Sequence, residues 1–328
     1  MQGVNDVSAG KESVRAVVCN KHGIGHLVRI RRFPRAGETV RALEWKYGED
    51  AGKGTNVSVA LGLLGVSNAF VCKVGADEGG RIGETMLRAA NVDCSHYVMD
   101  PGLTTDVGIV VTQVDGENFI IGCAEHPCYL SEEELRGAID DYPQAELFIS
   151  GFEISQSLSL QGCRFAKERG KRTLLNASPL KGPLTQTLEY VDYLFVNEVE
   201  GRELAGGEGN WRQVAEAVRG KYRPRVVVMT LGSKGCVLCD ESGCRYFPAY
   251  ETRCVDTVAA GDGFMAAFAA GLIWGKSDAE AADWANLYGA IVVSRKGSIL
   301  SYPTLTEVQE LSRGLKHCDK EGSAENVL

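Results

Sequence analysis

The chain has 328 residues, 44% of them hydrophobic and 24% charged, with 35 Lys and Arg against 43 Asp and Glu for a formal net charge of −8. These are the proportions of a globular protein long enough to bury a large core. The acidic balance excludes a nucleic-acid binder that works through a basic surface, but not a phosphate pocket, which needs only a few local groups.

In chain order, Val14–Cys19 is a short apolar run that reads as a buried strand. Leu27–Glu44 resembles strands joined by the turn Arg35-Ala36-Gly37, with no helix between them. Gly52–Gly65 is a glycine-rich entry into an apolar helix, and Phe70–Val74 is a second strand. Asp77–Ala90 has Ile82, Met86, Leu87 and Ala90 at helical spacing. Asp106–Ile121 again has strands and a turn, Val114-Asp115-Gly116. Strands are then expected at Leu147–Ser150, Thr173–Asn176, Tyr193–Val196 and Val226–Leu231, with helices at Ser155–Arg169, Glu198–Leu204, Trp211–Lys221 and Gly263–Trp274. This alternation implies an α/β fold, a mostly parallel sheet covered by helices. The two exceptions imply a small extra sheet, a β lid over a pocket. The body is expected over 12–26, 46–104 and 124–316, the lid over 27–45 and 105–123, and flexible tails over 1–11 and 317–328.

Met1–Lys11 lacks the apolar core of a signal peptide. The longest apolar stretch, Phe264–Trp274, is about half of a bilayer span. A soluble, cytoplasmic protein with no membrane partner is expected, and its 11 Cys are then mostly reduced, small, buried hydrophobes. Cys236-x-x-Cys239 suggests half a zinc site or a redox pair. It lies in a strand, however, where residues three apart point to opposite faces. Cys239 and Cys244 flank a hairpin loop and could face each other across it, with a cross-hairpin disulfide as the alternative. Plain packing is the expected role.

The segment Asp256-Thr257-Val258-Ala259-Ala260-Gly261-Asp262-Gly263 carries the strongest chemistry. Three small residues, Ala259, Ala260 and Gly261, run into a helix, so their N–H groups and the helix dipole can close around an anion. Asp262 at that point either caps the helix or accepts a proton from a hydroxyl that attacks a bound phosphate.

This stretch resembles the D-T-x-A-A-G-D signature of the ribokinase-like (PfkB) carbohydrate kinase family. Ala51-Gly52-Lys53-Gly54-Thr55-Asn56 through Leu64-Gly65 resembles the family's G-G-K-G-x-N helix entry. Asn197-Glu198-Val199-Glu200 is similar to its N-x-x-E, and Thr230–Gly235 to its nucleotide loop. Pro34–Val40 resembles its lid strand, and Arg295-Lys296-Gly297 with Ser301 its C-terminal segment. The resemblance spans residues 17–305 in the family's order and implies an ATP-dependent sugar kinase. Asp262 would be the general base, with Ala259, Ala260 and Gly261 as the anion hole. Asn197, Thr230, Gly232, Gly235 and Asn286 would line the nucleotide site, and Asn197 and Glu200 would hold Mg²⁺ through water. Asp256, Val258, Val292, Arg295, Gly297 and Ser301 would hold K⁺. The acceptor would meet Gly23, Gly25, Gly52, Lys53, Asn56 and Glu153. The family also implies a homodimer through the lid.

The departures fall on the acceptor side. The family's sugar-gripping N-x-D aligns with Gly23 and Gly25, which have no side chains, leaving Asn20, His22 or His26 as substitutes. Ala51 replaces a glycine, and Cys123-Ala124-Glu125 replaces the lid's G-A-N. Ribose is therefore in question, and a sugar acid, polyol or nucleoside is open. Two other readings compete. Gly23-Ile24-Gly25 suggests a dinucleotide enzyme, but Val28 replaces the third glycine and Arg31-Arg32-Phe33-Pro34 follows, so no crossover helix begins there. A binding protein without catalysis fits the altered acceptor side, but not the intact Asp262.

Overall fold

Runs rich in Val, Ile and Leu form central strands when helices cover both faces of a sheet. The computed structural model describes residues 13–318 other than 49, 115–117, 123–128, 181 and 183. The expected tails over 1–11 and beyond 318, most of the Val114-Asp115-Gly116 turn and Cys123-Ala124-Glu125 lie outside the described residues.

The first strands are β1 (Ala16–Cys19), β2 (Gly23–Ile30), β3 (Glu44–Tyr47), β4 (Asn68–Gly75), β5 (Tyr97–Asp100), β6 (Asp106–Gln113) and β7 (Asn118–Gly122). They continue with β8 (Leu147–Gly151), β9 (Arg172–Asn176), β10 (Tyr193–Asn197), β11 (Val226–Thr230), β12 (Gly235–Asp240) and β13 (Gly243–Pro248). The helices are α1 (Gly52–Leu63), α2 (Glu78–Ala89), α3 (Glu132–Asp140), α4 (Gln156–Glu168), α5 (Glu198–Ala205), α6 (Trp211–Tyr222), α7 (Ala260–Ile273), α8 (Asp278–Val293) and α9 (Leu305–Leu311).

Nine strands form one sheet in the order β13-β12-β11-β10-β9-β8-β1-β4-β5. From β11 to β5 the neighbours are parallel, while β12 and β13 add an antiparallel hairpin at one edge. Alternate residues of β1 enter different cores. Ala16 and Val18 pack under α1, α2, α7 and α8, whereas Val17 and Cys19 pack under α3, α4 and α6. The chain leaves β1 toward β4 on one side and takes up β8 on the other. At such a reversal the crevice beyond the carboxyl ends of the strands is left open for a ligand.

The small sheet has the order β3-β2-β6-β7, with β2 and β6 parallel and the outer pairs antiparallel. Its strand β2 begins at Gly23, ahead of the strand expected from Leu27. The fold is thus a helix-flanked, mostly parallel sheet with a separate small sheet.

The cysteine expectation needs correction at Cys254, which is exposed, at Cys318, which is half-buried, and at the hairpin pair. Cys239 and Cys244 face each other in the β12–β13 register and form a disulfide, where packing alone was expected. The two-residue-opposed geometry of a tight hairpin brings the two Cβ atoms together. Cys19, Cys72, Cys163 and Cys236 are buried as expected.

Candidate active site

Helix α7 starts three residues earlier than its apolar run suggests, at Ala260. Its cap residue Ala259 has φ 59°, a left-handed conformation that costs an alanine about 1–2 kcal/mol. The buried Tyr302 hydroxyl donates to the Ala259 carbonyl at 3.0 Å and pins this strained turn. The strain has a geometric result. The first-turn N–H groups of α7, which have no partner inside a helix, point into the open end of the crevice together with the positive end of the dipole.

Asp262 is 3% exposed. Asn56 Nδ2 donates to its Oδ2 at 2.9 Å, and Lys53 Nζ stands 3.7 Å from its Oδ1. Burial holds the Asp262 carboxyl above its ordinary pKa against the pull of Lys53 and Asn56. The Asp262 charge in turn raises the pKa of Lys53. Asp262 Oδ1 and Asn56 Oδ1 are buried with no hydrogen-bond partner among the described residues. Helix α1 delivers Lys53 and Asn56 because Gly52, at φ 78°, turns the chain into its first turn. Glu153, just beyond β8, accepts from the Lys53 backbone N–H at 2.7 Å, and burial raises its pKa too. Asp262, Gly52, Lys53, Asn56 and Glu153 therefore meet where the sheet order reverses.

On the other side of the α7 start lies a cavity of about 540 Å³ lined by Thr230, Gly232, Gly235, Ala260, Gly261 and Asn286, together with Thr257 and Phe264. The Asn286 amide donates to the Phe247 and Pro248 carbonyls at 3.1 Å each, fixing the end of β13 against this cavity. His317 stacks on Tyr250 at 4.1 Å, and the Cys318 N–H donates to Ala249 O, so these two residues are held against the cavity rim. The cavity and the Asp262 cluster share one wall, the first turn of α7.

Asn197 and Glu200 are turned on each other. The Glu200 N–H donates to Asn197 Oδ1 and the Asn197 N–H donates to Glu200 Oε2, both at 2.9 Å, which closes a capping box on α5. Glu200 is buried, and its charge reaches Lys53. Asp256 accepts from Val258 N and Gly297 N at 3.0 Å each, tying the α7 approach to the segment after α8. In that segment Arg295 N donates to Val292 O, and the buried Ser301 hydroxyl donates to Ser298 O.

The pfkB family carbohydrate kinase model matches residues 24–305. The chain belongs to the pfkB family of carbohydrate kinases. This kinase is 29% identical to the mouse (Mus musculus) ribokinase, covering 89% of this chain and 93% of that one. It is 30% identical to fructokinase-1 of rice (Oryza sativa subsp. japonica), covering 79% and 87%. The solved structure of the Arabidopsis thaliana ribokinase complexed with ribose and ATP is similar at TM-score 0.81 and 27% identity, covering 92% of this chain and 99% of that one.

Gly23 and Gly25 lie on the crevice side of β2, but the two histidines suggested as substitutes turn away. His22 is buried, Nδ1 facing Thr55 Oγ1 at 2.9 Å and Nε2 facing Gly79 O at 3.1 Å. His26 accepts from Trp45 Nε1 at 3.2 Å on the other face of the small sheet. Asn20 is 4% exposed, and its Oδ1 takes the Lys21 N–H. The residues that fill the space are Lys21 and Asp50, which sequence reasoning passed over. A Cβ on Gly23 would meet Lys21 Cε at 3.0 Å, and one on Gly25 would meet Asp50 Cβ at 2.7 Å. Two glycines on one strand face, Gly23 and Gly25, were the available signal. Tyr302 was also missed, and a lone tyrosine before a proline carries no local signal.

Proposed function

We propose that this kinase transfers the γ-phosphoryl of ATP to a hydroxyl of a sugar or similar polyol, with Asp262 as the general base. The observation that carries the reading is the buried Oδ1 of Asp262, which has Lys53 Nζ at 3.7 Å but no hydrogen-bond partner among the described residues, beside the N-terminus of α7. A carboxylate with a raised pKa takes a proton readily, and the adjacent N–H groups stabilise charge that builds on the transferred group. The cavity lined by Thr230, Gly232, Gly235 and Asn286 holds the nucleotide, with its phosphates toward Ala259, Ala260 and Gly261. Lys53 opposes the rise in the Asp262 pKa and faces the reacting oxygens. Closure of the small sheet over the crevice excludes water, the competing acceptor.

Magnesium fits the donor chemistry near Lys53. The Glu200 oxygen outside the capping box is a hard donor suited to an ion that keeps much of its water. Glu200 and Asn197 would hold the ion, which would neutralise phosphate charge. A K⁺ ion would be held by the Asp256 carboxylate, whose oxygens retain lone pairs, and by Ser301 and the backbone of Val258, Val292, Arg295 and Gly297; Asp256 accepts from the N–H groups of Val258 and Gly297.

The test is Asp262→Asn. Turnover should fall about 10²–10⁴-fold while ATP binding, measured by calorimetry, is retained. Unchanged turnover removes Asp262 as the base. A protein that binds sugar and nucleotide without turning over any acceptor would be a sensor instead.

A further inference from the structure

We propose that Asp50, standing against Gly25, is the acceptor-recognising carboxylate of this chain, and that the site it completes takes an uncharged polyhydroxy acceptor and rejects an acid. This rests on the kinase reading above.

Gly25 lies where an inward side chain of β2 would enter the crevice, and Asp50 has taken that space. A Cβ on Gly25 would meet Asp50 Cβ at 2.7 Å and Oδ2 at 3.4 Å. The Gly25 N–H donates to the Asp50 carbonyl at 2.8 Å, so the two segments are locked together. Asp50 Oδ1 accepts from Asn56 Nδ2 at 3.3 Å, and the same amide donates to Asp262 Oδ2 at 2.9 Å. One amide thus bridges Asp50 to the base. A ligand hydroxyl held by Asp50 would therefore lie near the hydroxyl that faces Asp262.

The polar inventory sets the ligand class. Asp262 Oδ1 and Asn56 Oδ1 are buried acceptors that await donors. A ligand rich in O–H groups satisfies them, and a carboxylate does not. The cations are already engaged. Lys21 pairs with Asp106, whose side chain is 1% exposed, and Lys53 lies between Asp262 and Glu153. Asp50, Asp106, Glu153 and Asp262 outnumber these two lysines. Even with Asp262 and Glu153 protonated, no surplus positive charge remains to receive an anion.

The experiment is steady-state phosphorylation of ribose, fructose, ribitol and ribonate by the unsubstituted kinase, Asp50→Asn and Gly25→Ala. The unsubstituted kinase should favour the best uncharged acceptor over ribonate by about 10-fold or more in kcat/KM. Asp50→Asn keeps the shape but weakens the grip, so KM for that acceptor should rise about 10-fold, more than kcat falls, while the ATP Kd holds. Gly25→Ala, which pushes Asp50 aside, should show the same split. Turnover by the unsubstituted kinase with an unchanged KM in Asp50→Asn overturns the assignment and leaves the kinase reading standing. Preference for ribonate overturns the ligand class. No turnover of any acceptor by the unsubstituted protein overturns this proposal and the kinase reading together.

Discussion

His22 shows how a residue's surroundings set its role. Tucked against Gly83 and between Thr55 and Gly79, it has its pKa lowered to about 4, first by burial. The Gly79 carbonyl requires a proton on Nε2, so Nδ1 accepts from the Thr55 hydroxyl. The group binds no second proton until the pH nears 4, whereas the unfolded chain protonates it near 6.5. Stability is therefore present above pH 6.5 and is lost as pH falls toward 4. Between pH 7 and pH 5 the loss should be roughly 2 kcal/mol. Urea unfolding of the unsubstituted chain and of His22→Gln at both pH values checks this. The variant should start less stable and lose less. An equal loss in both would show that His22 does not titrate between these states. From the sequence, His22 looked like a candidate for the acceptor site. Its direction depends on β1 ending at Cys19, and a one-residue difference there reverses which side chains face the crevice.

At the scale of elements, the α/β body was legible because its strands are apolar on both faces and its helices begin at glycine or cap residues. Helices α3 and α8 carried readable signals, Ser131 with Glu134 and Ser277 with Glu280, each closing a capping box. Those signals are weaker than the apolar runs and were passed over. The Cys239–Cys244 bond was not legible, since spacing shows that two cysteines can meet and not whether they bond. The anion-hole residues were legible as a motif, but their geometry was not. The left-handed Ala259 depends on Tyr302, more than forty residues away. The same long-range logic governs the loop pair joined by Asp256. Its carboxylate gathers the N–H groups of Val258 and Gly297 immediately before α7. A K⁺ ion held there would stiffen the approach to Ala259. Rates should be several-fold higher in saturating K⁺ than in tetramethylammonium at equal ionic strength. Identical rates would remove the cation from the mechanism.

At the scale of the molecule, the small sheet has its apolar side outward. Cross-strand register places Trp45, Val28, Val111 and Phe119 in one row and Tyr47, His26, Ile109 and Ile121 in the next, on a single face. Trp45 is 63% exposed and Ile121 48%. The opposite face, with Leu27, Arg29, Glu44, Lys46, Val110 and Thr112, borders a cavity of about 250 Å³ against Asp256 and Lys296. Lys296 Nζ reaches Glu44 at 3.4 Å across it. The inward face is therefore polar and paired with the body, while the outward face is apolar and continuous, the reverse of a sheet built to meet water. A second copy of the same face is self-complementary about a two-fold axis and buries both. The kinase is thus expected to be a dimer through the small sheet. A charge placed at the centre of that face, Trp45→Glu, should give a monomer by light scattering at concentrations where the unsubstituted chain is dimeric. Because β2 carries Gly23 and Gly25 as well as Val28, loss of the dimer should also loosen the crevice and raise the acceptor KM more than the ATP KM. A monomeric unsubstituted protein, or a Trp45→Glu variant that stays dimeric, would show that this face has another use.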